Sequence, residues 1–411
     1  MNVFLPADIL LPKDVDMRKW SVIACDQFTS DPEYWQRVRK TAGDDPSTIH
    51  LILPEAELSG DRKAAVEAIN ANMVRYMADG IFAVKPGSYV YVERTLVNGA
   101  VRPGLIGMVD LEQYDYNPGS VSLIRATEKT VVERIPPRKE IRRDATLEFP
   151  HILMLCDDDE KSLIESVAQQ KDRLEKIYDF DLMEEGGHIT GWLVNGAAAE
   201  EFNRRFGEYS QSFEKKYQGL SGAKVLLAVG DGNHSLATAK SCYEELKANH
   251  PDMDLSMHPA RFALVELENI HDPSQVFEPI HRVLFKIDTA DLLQYLSRYC
   301  SEDGFAVDYI AGTTRGTLYL DRSRGELAVA VLQTLLDEYL ANNAGEIDYI
   351  HGEEEVASLA AQEDAIGFLL PPMEKGQLFR GVIDRGTLPR KTFSMGHARE
   401  KRYYLEGRKI K

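Results

Sequence analysis

The chain has 411 residues, of which 44% are hydrophobic, and it carries a formal net charge of −18. This length allows two or three domains with a sizeable core. The acidic excess argues against nucleic acid as a partner, because polyanion binding depends on basic surfaces. We therefore expect a protein that acts on a small molecule.

The sequence predicts neither a membrane segment nor a secretory leader. No stretch approaches the roughly 18 consecutive apolar residues that span a bilayer, and the first residues lack a basic region followed by a long apolar one. The cysteines are widely separated at Cys25, Cys156, Cys242 and Cys300. This usage is typical of reduced thiols and favours a cytoplasmic protein without disulfide bonds or a cysteine zinc site.

The first half of the chain alternates predicted strands and helices. WSVIACD predicts a buried strand, and DPEYWQRVRKTAG predicts a helix. SYVYVERTLVNGAVRPGLIGMVDLEQY predicts two strands joined by a hairpin turn at Asn98-Gly99. Pro136 and Pro137 exclude a continuous helix through the arginine-rich stretch that follows. Because hairpins occur beside crossovers, we predict a mixed α/β fold rather than a purely parallel sheet.

The pattern changes after FEPIHRVLF, where shorter strands and helices follow. We predict a core lobe with N-terminal additions over residues 1–284, a smaller α/β lobe over 285–370 and a basic tail over 371–411. The tail is rich in lysine, arginine and hydroxyl side chains, although the whole chain is acidic. We expect this tail to return toward the core lobe.

A predicted strand-to-helix corner, AVGDGNHSLATAK, carries several polar groups at one point of the chain. Gly230 and Gly232 allow a left-handed turn and close approach of the backbone to a ligand. Asn233 or Ser235 is predicted to cap the following helix. Because a helix N-terminus offers free amides and a positive dipole end, the corner is a predicted phosphate site.

Two side chains at the corner are candidate catalytic residues. His234 is a candidate hydrogen-bond donor or proton carrier, and Asp231 is a candidate base or Mg²⁺ ligand. The corner is not a P-loop, because GxxxxGK[ST] is absent. A glycine-rich turn with a structural histidine explains the spacing equally well.

Three further clusters contain candidate binding residues. RATEKTVVERIPPR offers Arg125 and Arg134 to a phosphate or carboxylate. Thr127 and Glu128 stand beside these arginines. The candidates in PIHRVLF and PRKTFSMGHAREKR are His281, Arg282, Lys391, Ser394 and His397. The competing interpretations are a solvated charged loop, a paired core histidine and a basic tail without a ligand.

In the order of these segments, the chain resembles the domain of unknown function 1015 family over nearly its whole length. The resemblance rests on RATE.TV..RIPPR, GDGNHS, P.HR and LP.K. It implies a ParB/sulfiredoxin-like mixed-sheet core, in which the equivalent corner binds phosphate groups of a nucleotide. Most family members read D-G-H-H-R at this corner.

The corner of this chain departs from the family motif at two positions. Asp231, Gly232 and His234 match the motif. Asn233 replaces its first histidine, and Ser235 replaces its arginine. The replacement removes a guanidinium from the predicted phosphate site. Another basic side chain must then take its place, and the candidates are Arg125, Arg282 and Lys391.

The resemblance predicts a phosphotransferase that uses ADP or ATP, with Mg²⁺ as the candidate metal, on a phosphate-containing small molecule. Serine or phosphoserine is the favoured substrate, because one member of the superfamily is an ADP-dependent kinase that phosphorylates free serine. The alternative is a nucleotide-responsive binding or regulatory protein without fast catalysis. Redox chemistry is disfavoured because Asn233 stands where a cysteine is needed, and a metallohydrolase because HxH and HExxH are absent. A homodimer is left open.

Overall fold

The computed structural model describes residues 3–117, 119–220, 225–389 and 391–411. The chain divides into two compact units. Unit 1 comprises Met1–Gln275 and His397–Lys411, and unit 2 comprises Val276–Gly396. Within the described ranges, no helix combines the length and the apolar character that crossing a membrane requires.

The elements of unit 1 before Gln275 are interleaved strands and helices. Its strands are β1 (Phe4–Leu5), β2 (Ala7–Pro12), β3 (Val22–Ile23), β4 (Phe82–Thr95), β5 (Val101–Asp110), β6 (Tyr114–Asp115), β7 (Ile124–Ala126), β8 (Leu147–Glu148), β9 (Leu153–Cys156), β10 (Glu175–Asp181), β11 (His188–Val194), β12 (Leu227–Asp231) and β13 (Phe262–Asn269). Its helices are α1 (Met17–Trp20), α2 (Pro32–Ala42), α3 (Arg62–Ala78), α4 (Ile135–Arg143), α5 (Ile164–Ala168), α6 (Gly196–Lys216) and α7 (Asn233–Asn249).

Two local predictions can be checked directly against these elements. The hairpin at Asn98-Gly99 is confirmed, since β4 and β5 pair antiparallel on either side of it. The proline pair opens α4 instead of lying within a longer helix, because proline is tolerated in the first turn, where its missing N–H has no helical acceptor.

Most strands of unit 1 form one mixed sheet in the order β10-β11-β4-β5-β13-β9-β12-β7-β6, with β1 paired to β5 and β2 to β4. Strand β12 is parallel to β7 and antiparallel to β9. The ends of β12 and β7 therefore meet the start of β9 at one edge of the sheet. The predicted mixed α/β class is confirmed, and the ParB/sulfiredoxin-like identity of the core stays a prediction.

Helix α6 illustrates how the sequence covers this sheet. Phe202, Phe206, Tyr209 and Phe213 recur every three or four residues and are buried, which gives the helix one apolar face. The ring of Phe4 in β1 packs against this face, 5.9 Å from the ring of Phe202 between centroids. Burying each such aromatic side chain contributes about 1.5–3 kcal/mol.

Unit 2 is a smaller α/β unit with its own sheet. Its strands are β14 (Phe277–Phe285), β15 (Cys300–Ala311), β16 (Thr314–Leu320), β17 (Glu346–His351), β18 (Ala365–Leu369) and β19 (Phe393–Met395), and its helices are α8 (Thr289–Ser297), α9 (Ala328–Leu340), α10 (Glu353–Ala360) and α11 (Lys375–Arg385). The predicted boundary at 284/285 falls inside β14. This strand pairs with β17, β18 and β19, and the division between the units therefore precedes it.

The C-terminal segment His397–Lys411 is part of unit 1. Strands β20 (Tyr403–Tyr404) and β21 (Arg408–Lys409) pair with β3 and β8. Arg402 Nη1 lies 2.7 Å from Glu266 Oε2 in a buried ion pair. The predicted tail 371–411 is therefore divided, because its first part contains a helix and a strand of unit 2.

Candidate active site

At the end of β12 the chain turns through Gly232 into α7. The φ of Gly232 is +79°, and a Cβ at this position would lie 3.0 Å from Ile152 Cα, so the turn requires glycine. Gly232 is the N-cap residue, and no side chain makes a capping hydrogen bond. The prediction that Asn233 or Ser235 caps the helix is therefore wrong. In the first turn, the Ser235 N–H donates to the Gly232 carbonyl at 3.0 Å, and the N-cap residue has no side chain that could accept from the amides before it.

Asp231, the last residue of β12, forms an ion pair that sequence reasoning missed. Its Oδ2 lies 3.0 Å from Lys401 Nζ, and its Oδ1 accepts the Gly232 N–H at 2.9 Å. Burial alone would raise the pKa of Asp231, but Lys401 outweighs burial and holds that pKa below its usual value. The corner therefore contains a carboxylate and an ammonium group in contact at neutral pH.

Ser235 contacts a histidine that precedes a different strand. Its Oγ lies 3.0 Å from His151 Nε2, across 84 positions of sequence. Tyr404 Oη lies 2.8 Å from His151 Nδ1. His151 stands just before β9, whose start meets the end of β12 because the two strands are antiparallel. The pairing of β9 with β12 thus brings the hydroxyl and the imidazole together at the corner, and Tyr404 of β20, which pairs with β3, adds a phenol.

The loop after β7 lies against the first turn of α7. The Val131 N–H donates to His234 Nε2 at 3.3 Å. Thr130 Oγ1, in this loop, and Asn233 Oδ1, in the helix, are buried and have no hydrogen-bond partner among the residues that the structure describes. Thr130 is only 5% exposed, and an unpaired buried polar atom costs about 1–3 kcal/mol. These two atoms indicate where a polar ligand would find partners.

The arginine-rich stretch contributes unequally to this region. Thr127 Oγ1 donates to the Val229 carbonyl at 2.7 Å and ties the end of β7 to β12. Arg125 is buried in β7, where its Nε donates to a backbone carbonyl and burial lowers its pKa. Glu128 is half-buried, and Arg134 is exposed. Parallel pairing with β12 therefore places residues 125–128 beside the corner.

Arg282 and Lys391, two of the predicted phosphate partners, belong to unit 2. Arg282 is fully buried there. Its guanidinium donates to Gln333 Oε1 at 3.0 Å and to the Lys391 carbonyl at 2.8 Å, and it lies 4.8 Å from the centroid of the Tyr349 ring. These contacts favour a structural role for Arg282 within unit 2.

The remaining candidates also have structural contacts. His281 is buried in unit 2, and its Nδ1 accepts the Leu370 N–H at 3.0 Å. Ser394 Oγ donates to a backbone carbonyl of the same unit at 3.0 Å. His397 is exposed in unit 1, and its backbone N–H donates to Glu400 Oε2 at 2.9 Å. The supporting roles of these three residues stay predictions.

A cavity of about 160 Å³ adjoins the first turns of α7. Its lining includes Ser235, His151 and Tyr404, together with Arg138 and Arg142, and most of its other residues are apolar. Cavities that combine an apolar wall with a few convergent polar groups are typical of small-molecule sites. The Ser235–His151 pair therefore faces a space that a small molecule can enter.

The candidate metal ligand Asp231 belongs to no cluster of three or more ligating side chains in the described part of the chain. In the ranges that the structure describes, no three His, Cys, Asp or Glu side chains form a group that could hold a metal ion. Mg²⁺ is often bound through one carboxylate, phosphate oxygens and waters. Asp231 therefore fits Mg²⁺ only as a single ligand beside a phosphate-bearing substrate.

The residues that sequence reasoning missed are Lys401, His151 and Tyr404. The basic character of the tail was a signal for Lys401, but it also pointed to Lys391, which lies in unit 2. No local pattern distinguishes His151, since its role depends on strand pairing. Tyr404 falls in the aromatic end of the tail, where the pattern predicts packing alone.

Fold and site together define a mixed α/β protein with an uncapped helix N-terminus and a paired lysine at a candidate anion site. The model of the family described as "Protein of unknown function (DUF1015)" matches residues 7–406. The chain belongs to this family, which confirms the resemblance seen in the sequence. No protein of curated function matches the chain.

Three different proteins of known structure have a partial likeness to the chain. SbnI with C-terminal truncation from Staphylococcus aureus is 13% identical with a TM-score of 0.36, over 71% of this chain and 82% of its own. Free serine kinase in complex with AMP is 11% identical with a TM-score of 0.37, over 72% and 93%. A conserved hypothetical protein from Pyrococcus furiosus is 11% identical with a TM-score of 0.34, over 74% and 94%. At these identities and TM-scores, the likeness assigns no activity to this chain.

Proposed function

We propose that unit 1 binds the phosphate groups of ADP or ATP at the N-terminus of α7 and transfers a phosphoryl group to or from a small molecule. Serine and phosphoserine are the favoured second substrates. The observation that carries the proposal is the uncapped start of α7 beside the Lys401 ammonium and the unpaired buried oxygen of Thr130.

Binding follows from the electrostatics of the corner. First-turn amides and the positive end of the helix dipole favour an anion. Gly232 makes the left-handed turn into the helix, whereas Gly230 lies within β12 and does not take the left-handed conformation expected for it. Lys401 adds a full positive charge 3.0 Å from Asp231. The hydroxyl of Thr130 can donate to a phosphate oxygen, whereas the amide oxygen of Asn233 needs a donor, such as the ammonium or hydroxyl group of serine. A phosphate thus gives a partner to the Thr130 hydroxyl.

His234 supplies a proton donor in this arrangement. Its Nε2 accepts the Val131 N–H, so the neutral ring carries its proton on Nδ1 and donates from that atom. Phosphoryl transfer depends chiefly on positioning and charge stabilisation. His234, Lys401 and the helix amides provide both for the transferred group, whereas Arg282 and Lys391 stay predicted partners.

Asp231 is the candidate base or Mg²⁺ ligand of the reaction. Mg²⁺, when bound with the nucleotide, would neutralise charge on the phosphate oxygens. Lys401 keeps Asp231 ionised, which suits a metal ligand. A carboxylate with a lowered pKa is a weak base, so the residue is better suited to the ligand role.

A second candidate function is nucleotide-responsive binding without fast catalysis. The Asp231–Lys401 ion pair favours it, because a carboxylate committed to an ammonium group is poorly placed to accept a proton. This candidate predicts the same ligands and a similar affinity. It differs in predicting negligible turnover.

The proposal is tested by thermal unfolding of the full chain with ADP, ATP, pyrophosphate, serine and phosphoserine, each with and without Mg²⁺. A ligand at about 100 times its dissociation constant stabilises the folded state by about 2.7 kcal/mol. We expect a raised melting temperature with a nucleotide, and its loss in His234→Ala. His258→Ala, which changes a histidine of unit 1 outside the corner, is the control.

The outcomes separate the two candidates. Stabilisation together with formation of AMP or ADP and a phosphorylated product supports phosphotransfer. Stabilisation without turnover, unchanged when Asp231→Asn is made, supports the binding protein. If no phosphate compound stabilises the chain, the corner is a structural turn and both candidates fail.

A further inference from the structure

The contact between Ser235 and His151 has the arrangement of a nucleophile and its base. Their atoms Oγ and Nε2 are 3.0 Å apart, within the range for proton transfer along a hydrogen bond. The opposite ring nitrogen lies 2.8 Å from Tyr404 Oη. A third group therefore orients the imidazole, as in other sites where a histidine activates a hydroxyl.

The hydrogen bonds of Tyr404 allow the tautomer that a base requires. Its Oη accepts the backbone N–H of Cys25 at 3.1 Å, and the Tyr404 and Cys25 side chains also interact with each other. The phenol can therefore donate its own proton to the Cys25 sulfur. The Tyr404 oxygen can then also accept the Nδ1–H of His151. In that tautomer, Nε2 of His151 accepts the Ser235 hydroxyl proton.

Two further features stabilise the charges that develop on proton transfer. Asp26 Oδ2 lies 3.9 Å from His151 Nε2 and faces the imidazolium that forms. Ser235 is the third residue of the 17-residue helix α7, where the dipole favours negative charge on its oxygen. Ser235 and His151 also line the cavity of about 160 Å³, so an acceptor molecule can reach the pair.

We propose that Ser235 is a covalent nucleophile that carries the phosphoryl group between donor and acceptor, with His151 as its base. This inference rests on the proposed function, because the donor is the nucleotide bound at the corner. Ser235 replaces an arginine of the family motif, so the activity distinguishes this chain from members that retain that arginine.

The transfer takes two balanced steps. In the first, Ser235 Oγ attacks the terminal phosphorus of ATP or ADP, the bond from phosphorus to the nucleotide oxygen breaks, and the hydroxyl proton moves to His151 Nε2. In the second, a hydroxyl of the acceptor attacks the phosphoserine, and the phosphorus–Oγ bond breaks. Ser235 Oγ then recovers its proton from His151, and the proton of the acceptor hydroxyl passes to solvent.

The experiment is to incubate the full chain with ATP or ADP radiolabelled in the terminal phosphate, with Mg²⁺ and without acceptor. The protein is then denatured and mapped by mass spectrometry. We expect one phosphoryl group on Ser235 and none in Ser235→Ala. The His151→Gln variant is expected to label about 10²–10⁴-fold more slowly, the usual contribution of a general base.

Matched variants separate chemistry from folding. Ser241→Ala alters another serine of α7 and should label fully, and Ser235→Thr, which keeps a hydroxyl, should recover part of the labelling. Thermal unfolding with nucleotide is measured on every variant. Nucleotide binding without label on the wild-type chain, or full labelling of Ser235→Ala, overturns the covalent step alone. Absence of nucleotide binding overturns the proposed function, and the covalent step falls with it.

Discussion

The corner of unit 1 and the segment around Arg282 in unit 2 carry similar residues in different surroundings. In each region a histidine stands next to a charged or hydroxyl side chain: His234 follows the end of β12, and His281 lies within β14. Arg282 is fully buried, and its guanidinium is bonded to Gln333 and a backbone carbonyl. At the corner, Thr130 and Asn233 each keep an unpaired buried oxygen. The difference teaches that residue type alone suggests a site, whereas buried oxygens with incomplete hydrogen bonding show where a ligand would find partners.

The largest effect should come from Arg282, whose contacts favour a structural role in unit 2. Arg282→Met leaves buried acceptors unpaired at about 1–3 kcal/mol each, so we expect unit 2 to lose about 3–5 kcal/mol of stability. Hydrogen exchange of peptides from residues 276–396 measures this loss. Arg315→Met, at an exposed position of the same unit, should change little. If Arg282→Met is as stable as the wild-type chain but no longer binds nucleotide, Arg282 acts on the ligand and its structural role is refuted.

Lys401 should affect ligand binding more than stability. Hydrogen bonds to charged groups contribute about 1.5–3 kcal/mol, so Lys401→Met should weaken nucleotide affinity about 10–100-fold. Titration calorimetry measures the change. Lys240→Met is the matched control, because Lys240 is similarly buried and its Nζ lies 2.7 Å from Glu244. Equal losses in the two variants would show that Lys401 has no special place at the corner.

Substitution of Gly232 tests whether the corner needs its left-handed turn. Gly232→Ala forces an L-residue to φ +79° and brings its Cβ within 3.0 Å of Ile152 Cα. The left-handed conformation costs about 1–2 kcal/mol, and the contact should add to this and weaken nucleotide binding. In Gly99→Ala the φ is +83° with no atom within 4 Å, so denaturant unfolding should show the backbone cost alone. Equal losses of stability in the two variants would mean that Ile152 moves away and that the added methyl group at position 232 makes no close contact.

The smallest effect should be a pH dependence from His281. Burial lowers the pKa of His281, with Arg282 and His351 acting in the same direction and Glu353 opposing them. The unfolded chain therefore binds this proton more readily, and unit 2 should lose stability as pH falls from about 7 toward 5. His281→Asn, which can still accept the Leu370 N–H, should reduce this slope in hydrogen-exchange measurements. If stability depends on pH in the same way in His281→Asn, other groups cause the pH dependence.

Sequence reasoning succeeded where structure depends on near neighbours. The hairpin at Asn98-Gly99, the strand-to-helix corner and the mixed α/β class follow from local turn chemistry and hydrophobic periodicity. Lys401 could not be found in this way, because it reaches Asp231 only after the chain has passed through all of unit 2. His151 depends on the antiparallel pairing of β9 with β12. The prediction that Asn233 or Ser235 caps α7 was wrong because the left-handed Gly232 itself occupies the N-cap position.

The division of unit 1 into two stretches of sequence sets the order in which its corner can be completed. The ribosome synthesises Asp231 and His234 first, then the whole of Val276–Gly396, and only afterwards the segment that contains Lys401 and Tyr404. A nascent chain that has not reached His397 lacks the ammonium group beside Asp231 and the phenol beside His151. The corner therefore becomes complete only after translation of unit 2, and any message truncated within that unit yields a protein without a finished site.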